Sequence, residues 1–221
     1  MGSVLRVADF YAANRGGGLY SEAVSQRLGA FVALAGARAG VKPTVITLAS
    51  LAVGVASSAG LTIAGHRVSP WVALLVLLGW QIAYAFDCAD GQLARVTGQA
   101  GPAGARVDVL CDVAGHVALV TALVTVARPP LWLGALFAGS WMINIITSVL
   151  ATGEAPSLIA SRSGPARVVK LLRDYGALVL AAGLIVLFVP SWLIWYLISL
   201  TVINCAFLIA SIVQAARRAL R

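Results

Sequence analysis

The sequence predicts an all-α integral membrane protein: a six-helix bundle led by an N-terminal interfacial amphipathic helix. Three observations predict it. Mean hydropathy over the 221 residues is +0.93, 60% are apolar and only 11% are charged, against roughly 25% charged in a soluble chain. The apolar residues fall in runs near the roughly 20-residue length that a spanning helix needs. The charges fall between those runs. A soluble domain, a disordered chain and a nucleic-acid-binding protein are excluded together, because water cannot solvate most of this chain.

Each element follows in order. Tyr20 to Gly40 mixes Glu22, Arg27 and Arg38 with Leu28, Phe31, Val32 and Leu34, the pattern of a helix lying in the membrane interface. Pro43 to His66 is uncharged and forms the first span, and Val68 to Phe86 the second. The third begins near Gly104 and carries acids at its start, since Val113 to Ala127 is too short alone. Pro129 to Gly153 forms the fourth. The uncharged run from Tyr175 to Ala216 is long enough for two, divided at Pro190 and Ser191. The domain organisation is therefore a cytoplasmic N-terminal segment over 1–42, a membrane domain over 43–216 and a cytoplasmic tail over 217–221.

The net charge of +8 reflects topology rather than an acidic partner. Fourteen of the sixteen Lys and Arg fall on the side that holds both termini, against Arg67 and Arg128 on the other. The positive-inside rule places both termini in the cytoplasm of a multi-pass plasma-membrane protein. Cys88, Cys111 and Cys205 form no spacing motif and read as small apolar side chains.

The chemistry lies in the acids. Of eight acidic residues, Asp87, Asp90, Asp108 and Asp112 fall within 26 positions at the ends of the second and third spans. The spacings i,i+3 and i,i+4 put each pair on one helix face. Carboxylates at that depth are costly and are expected to be paired, metal-bound or functional. Oxygen ligation favours a hard ion such as Mg²⁺ or Mn²⁺, commonly shared with substrate phosphates. Gly91, Gly104 and Ala94 suggest close backbone approach, since a helical glycine costs about 1 kcal/mol against alanine. Arg95 suits a phosphate. From composition and spacing alone, a proton or cation path and a structural cluster neutralised by Arg95 and Arg106 stay open beside phosphoryl chemistry.

The full string is Asp87-x2-Asp90-Gly91-x2-Ala94-Arg95-x8-Gly104-x3-Asp108-x3-Asp112. It resembles the signature of the CDP-alcohol phosphotransferase family at every defined position. Pro43-Thr44-x2-Thr47 resembles the family's Pro-Asn-x2-Thr, with Thr44 in place of the Asn. The resemblance implies that a CDP-linked lipid or polyol gives its phosphoalcohol to an acceptor hydroxyl and CMP leaves. It implies that Asp87, Asp90 and Asp108 ligate a pair of Mg²⁺ or Mn²⁺ ions, and that Asp112 is the general base and also touches a metal. Gly91, Ala94, Arg95, Gly104 and Thr47 would line the CDP site, and the enzyme would be a homodimer.

The acceptor is read from a basic segment. Arg162, Arg167, Lys170 and Arg173 cluster between the fourth and fifth spans, as a pocket for a phosphorylated polyol or as ordinary topology signals. Arg173 and Asp174 resemble family members that handle inositol phosphates, so phosphatidylinositol phosphate synthesis is the leading expectation. Phosphatidylglycerophosphate synthesis and a soluble CDP-polyol donor stand behind it. A cation-coupled transporter is more distant, since the acids gather on one side and no repeat is seen. His116, one turn beyond Asp112, reads as a core histidine rather than a partner of the base.

Overall fold

The structure is a computed structural model that describes residues 5–14, 17–151 and 174–220. It is all-helical, with no strand among the described residues. Helix α1 is Val7–Ala12, α2 Gln26–Arg38, α3 Pro43–Ala64, α4 Pro70–Val96, α5 Pro102–Ala127, α6 Leu131–Ala151, α7 Tyr175–Phe188 and α8 Leu193–Ala219. Prolines open α3, α4 and α5 at their first helical position, where the missing N–H costs nothing and φ is already helical. Ser69 caps α4 by accepting the N–H of Val72 at 3.4 Å. A single 3₁₀ turn, Pro190–Trp192, divides α7 from α8.

Among the described residues, four helices are long and apolar enough to cross a membrane: Pro43–Arg67, Pro70–Val96, Pro102–Ala127 and Pro190–Arg217. Leu131–Ile143 and Tyr175–Phe188 are shorter apolar helices. At 1.5 Å per residue, the 14 residues of α7 rise about 21 Å, less than the roughly 30 Å hydrocarbon core. The helix ends differ from the sequence reading by a few residues, and two of these differences bear on the site. The apolar span ends at Phe86, but helix α4 runs on through both acids to Val96, because polarity ends an apolar run without ending a helix. Helix α5 begins at Pro102, two residues before Gly104.

The core lies at mid-bundle, where Leu61, Trp80, Leu119, Leu123, Phe137, Trp141, Val179 and Leu197 pack together. Hydrogen bonds stitch α3 to α4, from Trp80 Nε1 to Ser58 Oγ at 2.9 Å and from Ser50 Oγ to the Ala83 carbonyl at 2.7 Å. Helix α3 packs against both α4 and α5, whereas α4 and α5 make almost no backbone contact with each other.

The N-terminal segment packs on α4. Helix α2 buries Gln26, Gly29, Ala30, Ala33, Leu34 and Gly36 and leaves Leu28 and Phe31 exposed. A Cβ on Gly29 would stand 2.9 Å from the Ala85 carbonyl, so this crossing needs glycine. Phe10 of α1 fills the gap between α2 and α4, among Ala30, Ala33, Ile46, Ala89 and Leu93.

Candidate functional site

The four acids project from two helices toward the gap between them. Asp87 and Asp90 lie near the end of α4, and Asp108 and Asp112 near the start of α5. Because α3 props these helices apart, the side chains span the gap instead of the backbones. Carboxylate oxygens of Asp87, Asp90 and Asp108 lie within 4.8 Å of one another. The Asp112 carboxyl lies within hydrogen-bonding reach of Asp87. Anionic groups this close repel unless a proton or a cation sits among them. The donor set is entirely carboxylate oxygen, which fits a hard divalent cation such as Mg²⁺ or Mn²⁺.

Neighbours fix the α4 acids. The Thr47 hydroxyl donates to Asp90 Oδ2 at 2.5 Å, and both side chains are buried. Thr47, expected at the CDP site, thus adjoins the acidic cluster through Asp90. Arg95 Nε donates to the Ala13 carbonyl at 2.7 Å, and its guanidinium faces Asp90 and Asp108. A Cβ on Gly91 would sit 2.9 Å from Arg95 Nη1, so glycine here keeps room for the guanidinium. At Gly104 no described protein atom lies within 4 Å of where a Cβ would stand; the close approach expected there is not made among the described residues. Ala94 lies between Gly91 and Arg95 on α4, half-buried.

Several residues around the site are tied together by contacts that the sequence does not announce. Gln92 is fully buried, and its Nε2 donates to Asn14 Oδ1 and to the Gln26 carbonyl, each at 2.9 Å. Asp174 precedes α7 but does not cap it. Its carboxylate instead accepts the Ser21 N–H at 2.9 Å and the Ser21 hydroxyl. The Ser21 Oγ in turn pairs with the Tyr84 hydroxyl at 2.8 Å, one turn before Asp87 and Cys88. Gly18 lies against the Asp174 carboxylate, and a Cβ on Gly176 would press on Tyr84 at 2.7 Å and Tyr20 at 2.9 Å. The one available signal was these glycines, together with an acid opening an apolar run.

His116 packs its ring 4.7 Å from that of Tyr175 and 6.1 Å from that of Trp141, centroid to centroid. It fills the bundle, and no hydrogen bond from it to Asp112 is seen. Cys88, Cys111 and Cys205 are free and half-buried. Arg162, Arg167, Lys170 and Arg173 lie outside the described residues.

Fold and site together define a multi-pass, all-helical membrane protein with an acidic centre at one end of its bundle. Residues 41–212 match the CDP-alcohol phosphatidyltransferase family, and the chain belongs to that family. It is therefore a transferase of substituted phosphate groups, moving a phosphatidyl-type group from a CDP-alcohol to an alcohol. No curated protein matches the chain.

Proposed function

We propose that this chain is a metal-dependent phosphatidyltransferase using CDP-diacylglycerol and a phosphorylated polyol, in the manner of a phosphatidylinositol phosphate synthase. One observation carries the site assignment: Asp87, Asp90 and Asp108 converge within 4.8 Å across the gap between α4 and α5, inside the family-matched region. Asp87, Asp90 and Asp108 would hold the metal ions, with Asp112 beside them. Bound Mg²⁺ or Mn²⁺ supplies charge neutralisation on the diphosphate and on the departing CMP.

The chain's own residues do the rest. Asp112 accepts the proton of the acceptor hydroxyl as its oxygen attacks the phosphorus that bears the alcohol. The bond from that phosphorus to the CMP oxygen breaks, and CMP leaves with the electron pair. Arg95, pinned by Ala13, is placed to hold the diphosphate, and Gly91, Ala94 and Gly104 leave room for the nucleotide. Thr47 acts through Asp90. The basic segment with Arg162, Arg167, Lys170 and Arg173 would bind the acceptor's phosphate, which favours a phosphorylated polyol over a neutral alcohol.

In this reading the two shorter apolar helices complete six spans over 43–216, the termini and the acidic centre face the cytoplasm, and α2 rests its Leu28 and Phe31 face in the interface. The active form is a homodimer. The test is CMP release by purified protein from CDP-diacylglycerol with Mg²⁺, against inositol phosphate, glycerol phosphate, inositol and serine. Release with inositol phosphate alone is expected. Release with glycerol phosphate alone would make the enzyme a phosphatidylglycerophosphate synthase, and silence in folded protein would move the donor to a soluble CDP-polyol.

A further inference from the structure

Some 24 Å from Asp112 along α5, by helical rise, the opposite end of the bundle has a different chemistry. Three connections meet there: 65–69, 128–130 and 189–192. They contain His66, Arg67 and Arg128 and no acidic residue. Arg128 Nη2 contacts His66 Nδ1 at 2.6 Å. A guanidinium has only donors, so His66 accepts through Nδ1 and keeps an Nε2–H donor. Beside this pair lies a cavity of about 280 Å³ lined by His66, Val126, Ala127, Pro190, Ser191 and Ile194.

Arg128 occupies its position against two costs. Its φ of 47° and ψ of 51° put it in the left-handed region, the single non-glycine residue there among those described. Glycine ends a helix in that conformation without strain, and a residue before proline is further biased toward extended backbone. Its charge is also one of only two, with Arg67, on the side that the charge distribution otherwise empties of cations. A side chain kept where backbone and topology both oppose it points to a role for that side chain.

The depth of the cavity identifies what it meets. Trp71, Trp132 and Trp192 open their helices at this end and are 76%, 68% and 65% exposed. Exposed tryptophans at helix ends mark the headgroup level of a bilayer. The cavity is thus at headgroup depth, floored by apolar side chains and edged by uncompensated positive charge. We propose that Arg128 and His66, over the Pro190–Ser191 turn, form a site for a phosphodiester anion, and that its occupant is the headgroup of an anionic phospholipid. The guanidinium binds the phosphate oxygens through its planar fork, the His66 Nε2–H and the Ser191 hydroxyl complete the donors, and the acyl chains follow the apolar wall.

The test uses the full-length protein in neutral detergent, with Tm measured before and after adding phosphatidylglycerol, phosphatidylcholine or inorganic phosphate. Phosphatidylglycerol is expected to raise the wild-type Tm by about 5 °C, with little change from phosphatidylcholine. Arg128→Gly removes the guanidinium and relieves the turn. It is expected to match or exceed the wild-type Tm without lipid while losing more than half of the lipid-dependent gain. His66→Ala, which leaves the turn untouched, is expected to lose part of that gain. Equal gains in wild type and Arg128→Gly, or equal gains from the two lipids, would overturn the site. A gain from inorganic phosphate alone, lost in Arg128→Gly, would keep the anion site and overturn the lipid as its occupant.

Discussion

The two helices that bring the acids together are embedded in opposite ways. On α4 the acid-bearing stretch is buried on nearly every turn, at Ala85, Ala89, Asp90, Gln92 and Leu93. It is tied to the N-terminal segment by Gln92 and Arg95 and to α3 by Thr47. On α5 no residue from 103 to 118 is buried, although the second half of the same helix lies in the core. One wall of the site is packed into the protein around its acids, and the other is buried only in its second half. The difference suggests a division of labour, in which α4 fixes the reference frame and α5 adjusts its carboxylates to what is bound.

The largest expected effect comes from removing divalent ions. Chelation is expected to abolish CMP release and added Mg²⁺ to restore it. In hydrogen exchange the amides of 103–112 should then lose far more protection than those of 85–93. Equal responses would break the contrast between the walls. Asp112→Asn, on the adjustable wall, is expected to lower kcat by about 10²- to 10⁴-fold, the usual span for a lost general base, with donor affinity retained in an equilibrium binding assay. Thr47→Val removes the hydroxyl that orients Asp90 and is expected to weaken Mg²⁺ activation by about 10-fold or more, read from the metal dependence of the rate.

Smaller effects test stability. Gln92→Ala leaves the buried Gln26 carbonyl and Asn14 without their shared donor and should cost about 1–3 kcal/mol, seen as a lower Tm. Its counterpart on α5 is Leu110→Ala, at a side chain 69% exposed. That change is expected to stay within about 0.5 kcal/mol, and a cost matching that of Gln92→Ala would show that α5 is as tightly held as α4.

Much of this was readable in the chain. The apolar runs place the helices, with starts read at 68 and near 104 that the prolines at 70 and 102 move by two residues, because proline at a first turn acts through local geometry alone. The i,i+3 and i,i+4 spacing of the acids put each pair on one face, since helical periodicity is also local. How far α4 continues past Phe86 was readable only through the shared face of Asp87 and Asp90, because hydropathy reports solvent and not backbone conformation. Nor was the separation of α4 from α5, which depends on α3 packing between them. The contacts of Gln92 and the pairing of Asp174 with Ser21 escaped for a related reason: the partners lie up to 153 positions away, and no local pattern records such a pairing.

That last distance bears on how the protein is made. The Ser21 N–H and hydroxyl find their carboxylate only once residue 174 has been synthesised and α7 has entered the bundle. At 5–20 residues per second, the interval is roughly 8–30 s. Through that time α4 and α5, acids included, are already in the membrane, while the N-terminal segment lacks its anchor beside Tyr84. The contact beside the site therefore closes late, ahead of those made by α8, such as the Tyr196 hydroxyl on the Leu178 carbonyl, and a ribosome-bound chain shorter than 174 residues cannot make it.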